Sequence, residues 1–305
     1  MSHVESSGAG AEVGGVRISH PDRVVFRAPR LTKADIARYY DAVSERMLPH
    51  VAGRPLTLLR CLHPVDPGVA NGGCIIVKHG RTWDALPLRR VMIEETRKTD
   101  EYLVADEEAD LVELAQMGIV EIHTWQSRAE DPYLHDRLVI DLDPGPAVRW
   151  PEVVATARAA RDLLGERHLR SWVKTTGGKG LHVVVPLEPT GWQSCLAFAK
   201  AVAARLVEDR PKLLTVAIPK AGRESKILVD TLRNGRGNTA VAAFSLRARA
   251  GAPISTPLAW DELGPGLDPA AFTVPAVLGR ARRADPWADF WDLRQRLPPA
   301  LQAPR

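Results

Sequence analysis

Residues 137–145 read RLVIDLDPG, an apolar run that closes on two aspartates one residue apart. In a buried strand the period of two sends Ile140 and Leu142 to one face and Asp141 and Asp143 together to the other. Two carboxylates aimed the same way repel each other, and burying them unpaired is costly, so the pattern calls for a cation or a basic partner. Taken alone, the stretch reads equally well as a strand end capped by a Pro-Gly turn, because Asp, Pro and Gly are ordinary turn formers. The remainder of the chain has to decide between the two.

A chain of 305 residues can bury a large core, in one big or two intimately packed domains, and 45% hydrophobic with 26% charged residues is a globular composition. No apolar run approaches the roughly 20 residues that cross a bilayer, and no basic-then-apolar leader opens the chain, so a cytoplasmic protein without a membrane partner is expected. Cys61, Cys74 and Cys195 are scattered, with no C-x-x-C pair. Buried thiols are therefore expected, rather than a disulfide framework or a zinc site. A net charge of +4 with 41 Lys+Arg is compatible with a polyanionic partner.

Residues 1–14 are small and polar and read as a disordered tail. Thr32, with Asp35 three residues on, resembles a capping box, and Ile36, Tyr40, Val43 and Met47 mark an apolar helical stripe. Strand-like pieces follow (LTLLRCL, CIIVKH, LRRVMIEE, EYLVA), then a helix-like ADLVELAQMG that stops at Gly118. The second half opens on the 137–143 strand. It continues with a helix begun by Pro151, two strands around the Gly-rich turn of SWVKTTGGKGLHVVVPL, an amphipathic helix from Trp192, and a strand SKILVD. Strand, helix, hairpin, helix, strand predicts an α+β fold with helices on one face of the sheet.

Asp230 ends that last strand. If it lies beside Asp141 and Asp143, three carboxylates converge on a patch suited to two divalent cations and to phosphoryl displacement. The nearby KTTGGKGLHVVV is neither a Walker A loop nor G-x-G-x-x-G. It nevertheless offers donors to a triphosphate: the Thr175 and Thr176 hydroxyls, glycine N–H groups, Lys179 and His182. The competing reading of the glycines is a turn that needs positive φ. After Asp230 come Arg233, Arg236 and Arg247, and arginine grips phosphate with two hydrogen bonds at once.

IDLDPG, KTTGGKGLHV and VDTLRNGRGNTAVAAFSLRAR, in this order and at these separations, closely resemble the polymerase domain of bacterial DNA ligase D, a branch of the archaeo-eukaryotic primase superfamily. The resemblance runs from about Val16 to about Leu263. It implies a primase-like catalytic core with an RRM-like antiparallel or mixed sheet, over about 131–285, and a packed N-terminal α/β module, over about 15–130, with a tail or helix at 286–305. It further implies Asp141, Asp143 and Asp230 as metal ligands and catalytic residues, and His123 (in EIHTW), Thr176, Lys179, His182, Arg233 and Arg247 as the nucleotide-binding set. Arg23 and Lys33 fall where the family grips the 5′-phosphate of a DNA gap, Arg23 standing for the usual lysine. Lys78 and Arg223 are further candidates for DNA contact. Ile75 and Ile76 stand where the family carries aromatics that stack on DNA, a contact worth roughly 1–3 kcal/mol per base.

The resemblance therefore implies a template-dependent nucleotidyltransferase using two Mn²⁺ or Mg²⁺ ions and NTP or dNTP, ribonucleotides preferred. It would act on gaps, overhangs or broken ends in non-homologous end joining, alongside a Ku-type end-binding protein and a DNA ligase, in association with the bacterial nucleoid. At this length the chain is expected to lack the ligase and phosphoesterase modules of full-length ligase D proteins. The rival readings are a metal-dependent nuclease or phosphohydrolase, which has no need of the triphosphate donors, and a non-catalytic 5′-phosphate end-binding module, which has no need of the aspartates.

Overall fold

The computed structural model describes residues 10–80, 87–95, 98–219 and 221–299. Most of the expected N-terminal tail, residues 1–9, and the end of the chain, 300–305, lie outside the described residues. In chain order the strands are β1 (Ala11–Val13), β2 (Val16–Ile18), β3 (Val24–Phe26), β4 (Leu31–Thr32), β5 (Leu56–Arg60), β6 (Ile75–Val77), β7 (Arg89–Glu94), β8 (Thr99–Val104), β9 (Ile119–Trp125), β10 (Ser127–Arg128) and β11 (Asp131–Pro144). They continue with β12 (Trp172–Thr175), β13 (Leu181–Gly191), β14 (Leu214–Thr215), β15 (Ile227–Asp230), β16 (Thr239–Val241) and β17 (Pro257–Leu258). The helices are α1 (Lys33–Val51), α2 (Glu108–Gln116), α3 (Trp150–Gly165), α4 (Trp192–Asp209) and α5 (Val274–Arg280).

The main sheet runs β14-β15-β11-β13-β12-β17, antiparallel except for the parallel β14–β15 pair, with β10 added to β11. Leu138, Ile140 and Leu142 are fully buried in one core with residues of α3 and α4, among them Ala157, Leu164, Phe198 and Val202. Val139 faces the other way and packs with Trp172, Val184, Ala240, Trp287 and Phe290. A strand covered on both faces loses strict alternation, which is why LVI reads as an unbroken apolar run. The expected α+β sheet with helices on one face is present. Its other face is closed by a second sheet, β16-β9-β5-β6, and by the C-terminal segment.

Three expectations are corrected. Residues 11–13 are not tail: they form β1 and pair with β2 across Gly14 and Gly15, burying Val13 and Val16. The described part of 286–305 is neither tail nor helix but a run of turns whose Trp287 and Phe290 are buried and stacked at 4.9 Å. Cys61 and Cys74 are not free thiols but a disulfide. The register explains the pairing: Arg60 lies opposite Ile75 in the β5–β6 hairpin, so the residues just beyond this last pair meet across its loop. Only Cys195 is a buried free thiol.

Helix α1 begins as its sequence dictates. The Thr32 Oγ1 accepts from the Asp35 N–H at 3.2 Å, and the Asp35 carboxylate accepts from the Thr32 N–H at 2.8 Å. Its buried stripe includes Ile36, Tyr40, Val43 and Met47. The Tyr39 and Tyr40 hydroxyls, fully buried, donate to the Phe244 and Val120 carbonyls, tying α1 to both halves of the fold. Removing the cap by Thr32→Ala should lower unfolding free energy by about 1 kcal/mol, read from urea denaturation curves with an unchanged slope.

Candidate active site

Register assembles the site. Asp141 of β11 lies directly opposite Asp230 on β15 and His182 on β13, and His182 in turn lies opposite Lys174 on β12. Paired residues share a face, so Lys174, His182, Asp141 and Asp230 form one row across four strands. The His182 Nε2 stands 3.5 Å from Asp141 Oδ1. After β15, Asp230 Oδ1 accepts from the Leu232 N–H at 2.7 Å, starting a short 3₁₀ turn that carries Arg233 back over the row. Arg233 Nε donates to Asp141 Oδ2 at 3.1 Å, and its Nη2 lies 3.5 Å from Asp230 Oδ2. The turn is pinned by Asn234, fully buried, whose side chain accepts from the Val139 N–H at 2.8 Å and donates to the Val139 carbonyl at 2.7 Å.

The carboxylates differ in surroundings. Burial alone would raise the Asp141 carboxyl, but His182 and Arg233 overrule it and hold it well below the usual carboxylate range. Asp143 and Asp230 are instead pushed up, by burial first and by the charge of Asp141 beside them. Asp143 is the open member of the set, its side chain 63% exposed, with Arg223 3.9 Å away. His182 is pushed down to about 4 by burial and by Lys174.

The facing wall comes from β9 and the Gly-rich turn. Glu121, buried, joins three groups: its Oε2 lies 2.8 Å from His123 Nε2 and 3.0 Å from Arg247 Nε, and its Oε1 accepts from the Ala248 N–H at 2.7 Å. These partners hold the Glu121 carboxyl down to about 2 against burial. Burial lowers His123, with Arg247 and Arg233 adding to it. Arg247 also donates to the Thr176 carbonyl, locking the turn. Both readings of the glycines meet here. Gly177 has φ +65°, and a Cβ at Gly180 would stand 2.4 Å from the Leu142 carbonyl oxygen, so the turn needs glycine in order to sit against β11. His123, Asp141, Asp143, Thr176, His182, Arg233, Arg247 and Arg249 thus surround one cavity of about 180 Å³.

Other candidates lie elsewhere. Lys179 is exposed and does not line the cavity. Thr175 points away into the core, where its hydroxyl donates to the Ile254 carbonyl at 3.1 Å. Arg236 donates to the Glu94 carbonyl and lies over the Tyr133 ring. Lys78 is paired with Glu95 at 3.0 Å, while Ile75 and Ile76 are exposed. Arg23 and Lys33 form a separate basic cluster, Arg23 donating to the Cys61 and Leu62 carbonyls and Lys33 to Ser19. Arg60 joins them electrostatically, and burial together with these two arginines brings Lys33 down to about 8. Glu121, Lys174, Asn234, Arg249 and Arg60 were not singled out from sequence. Arg249 had a signal, standing two residues beyond Arg247, whereas Glu121 reads as an ordinary strand glutamate until its partners are seen.

The family model for the LigD primase-polymerase domain matches residues 32–287. The multifunctional non-homologous end joining protein LigD of Pseudomonas aeruginosa is 34% identical over 312 residues, covering 97% of this chain and 35% of that protein. The LigD repair protein of Mycobacterium tuberculosis H37Rv is 36% identical over 257 residues, covering 81% and 33%. The chain thus spans about a third of the length of these curated relatives. Among solved structures, the polymerase domain of M. tuberculosis ligase D in complex with DNA superposes with a TM-score of 0.84 at 34% identity, covering 90% of this chain and 97% of that one. The class is that of nucleotidyltransferases of the primase-polymerase type. The chain belongs to the LigD primase-polymerase domain family.

Glu121→Gln removes the charge that joins His123 to Arg247 and should cost about 2–4 kcal/mol of stability near neutral pH. Because the folded-state pKa is depressed, that contribution is complete above the unfolded value and fades as the pH falls toward about 2. The gap between wild type and variant in urea melts should therefore narrow on acidification.

Proposed function

We propose that the chain extends a primer 3′-hydroxyl by template-directed nucleotidyl transfer, with Asp141, Asp143 and Asp230 holding two divalent cations, Mn²⁺ or Mg²⁺. The observation that supports this reading is the register that brings Asp230 beside Asp141, while Asp141 and Asp143 face a cavity walled by arginine, histidine and threonine donors that Asp230 itself does not line. The donor set fits such ions: hard carboxylate oxygens, two of them on groups whose pKa is raised by burial and by the charge of Asp141 and which gain from a nearby cation. When bound, the ions supply charge that stabilises the attacking and leaving oxygens.

The chain's own residues position the nucleotide. Thr176, His182, Arg247 and Arg249 face the cavity as phosphate donors, Arg247 being held rigid by Glu121 and the Thr176 carbonyl. Arg233 keeps Asp141 ionised and places a guanidinium beside the charge that develops in the reaction. The primer oxygen bonds to the α-phosphorus as the bond to the β-phosphate oxygen breaks, and pyrophosphate leaves. Lys179, exposed at the turn, is retained as a contact made by bound substrate. The Arg23, Lys33 and Arg60 cluster is proposed to take the downstream 5′-phosphate, with Lys78 and Arg223 nearer the DNA path. A role in end joining is carried over from relatives named for it, while ribonucleotide preference, action at gaps or broken ends, and cooperation with a Ku-type protein and a ligase rest on the family resemblance. The paired phosphate donors favour this reading over a nuclease, and the buried, precisely registered Asp141 favours it over a mere end-binder.

Primer extension on a gapped duplex with a 5′-phosphate and Mn²⁺ should add a ribonucleotide more readily than a deoxyribonucleotide. Asp143→Ala should lower extension at least about 100-fold while leaving the fold intact by circular dichroism. An active Asp143→Ala would sink the metal assignment.

Lys33 provides a second test. A lysine near 8 is charged below that pH and neutral above it, so preference for a 5′-phosphate over a 5′-hydroxyl gap should weaken as the pH rises through about 8. Fluorescence anisotropy of the two duplexes reads this, and Lys33→Arg should flatten the profile; a flat wild-type profile would remove Lys33 from the cluster.

A further inference from the structure

Behind the row of registered side chains, between the two sheets, lies a small cavity of about 20 Å³ whose walls include His50, Gln126, Arg137, Lys174, His182 and Trp287, all buried. Its polar groups are of one kind. Arg137 donates to the Gln126 Oε1 at 2.8 Å, the His50 carbonyl at 3.2 Å, the Trp125 carbonyl at 3.0 Å and the Thr124 hydroxyl, all of them neutral. The Lys174 Nζ donates to the Ser255 Oγ at 2.5 Å. Neither cation has a hydrogen-bonded carboxylate among the described residues. Asp136, the carboxylate next to Arg137 in sequence, is occupied by Arg54 at 2.7 Å and Arg128 at 3.2 Å.

The Gln126 amide adds a donor of fixed identity. Its oxygen accepts from Arg137, which turns its Nε2 away from the guanidinium, and that nitrogen has no protein partner. The His50 Nδ1 is likewise buried without one. A buried donor left unpaired is unfavourable, and a buried guanidinium cannot escape its charge by losing a proton.

We propose that this cavity is a binding site for one small monovalent anion of the halide class. A water could bond to the same groups, but it brings no negative charge to the two buried cations, whose neighbouring carboxylates are shared, Asp136 with Arg54 and Arg128 and Asp141 with Arg233, whereas one anion supplies both hydrogen bonding and charge. The space holds a single sphere of about water size and is too small for a carboxylate or phosphate. Burial and then neighbouring arginines, Arg247 for Lys174 and Arg54 for Arg137, disfavour the charged forms of the two groups, and an anion between them opposes that bias. Lys174 stands directly across from His182, so the anion would hold the ammonium in place under the phosphate-facing wall of the active site. The inference rests on the cavity alone and is independent of the polymerase reading.

Bromide supplies the test. Crystals of the whole chain soaked in bromide should show an anomalous-scattering peak within hydrogen-bonding distance of Lys174 Nζ and Gln126 Nε2. Raising bromide against glutamate at constant ionic strength should raise the melting temperature of the wild type. Gln126→Glu keeps the acceptor for Arg137 and supplies a built-in anion, so it should abolish both the peak and the halide response; Lys174→Met serves as a second variant if the first does not fold. Ordinary water density without anomalous signal, bromide only at surface sites, or equal halide responses in wild type and variants would overturn the proposal.

Discussion

The site depends on one carboxylate. Asp141 is almost fully buried, and such a charge is tolerable only where opposite charge and hydrogen bonds meet it. Arg233 supplies the first and His182 stands on the other side. Each must arrive from a different strand, so the constraint propagates outward. The β11–β13 register has to bring His182 opposite, the β11–β15 register has to bring Asp230 alongside, and the turn after β15 has to fold back. Asn234 completes the demand by fastening that turn to the backbone of Val139. A slip of one residue by β11 would turn Asp141 toward the α3 and α4 core, where nothing could neutralise it.

Much of this was legible in sequence, for identifiable reasons. The alternation in IDLD fixes which residues share a face, and an acidic residue ending an apolar strand at Asp230 marks the same edge. The capping box at Thr32 and the glycine stop at Gly118 are local devices, written where they act. The long-range readings needed more than local pattern. Asp141, Asp143 and Asp230 could be gathered only by supposing that their strands adjoin, and the family resemblance supplied that supposition.

What stayed hidden depended on contacts between distant segments. Glu121 bonds to a residue two positions away and to others more than a hundred further on, and nothing in its own neighbourhood announces the latter. The Cys61–Cys74 bridge follows from hairpin register rather than from a spacing motif. Lys174 and Lys179 flank one Gly-rich stretch and look alike in sequence, yet the strand buries the first opposite His182 and the turn leaves the second in solvent. Val13 and the Trp287–Phe290 pair show the opposite bias: polar or irregular surroundings concealed apolar residues that complete the core.

The two glycines at the tip of β11 carry a consequence for redesign. A methyl group on Gly145 would fall 2.0 Å from the Arg223 carbonyl oxygen, and one on Gly180 would fall 2.4 Å from that of Leu142. The end of the sheet is thus built with no clearance, backbone against backbone, while Asp143, one step away, opens to solvent. On the proposed reading, attempts to retune ion preference or substrate size therefore have one adjustable carboxylate set in an inflexible frame. Variation belongs at the exposed aspartate and along the arginine wall, whereas bulk added at either glycine would displace the strand ends that carry Asp141, Asp143 and His182.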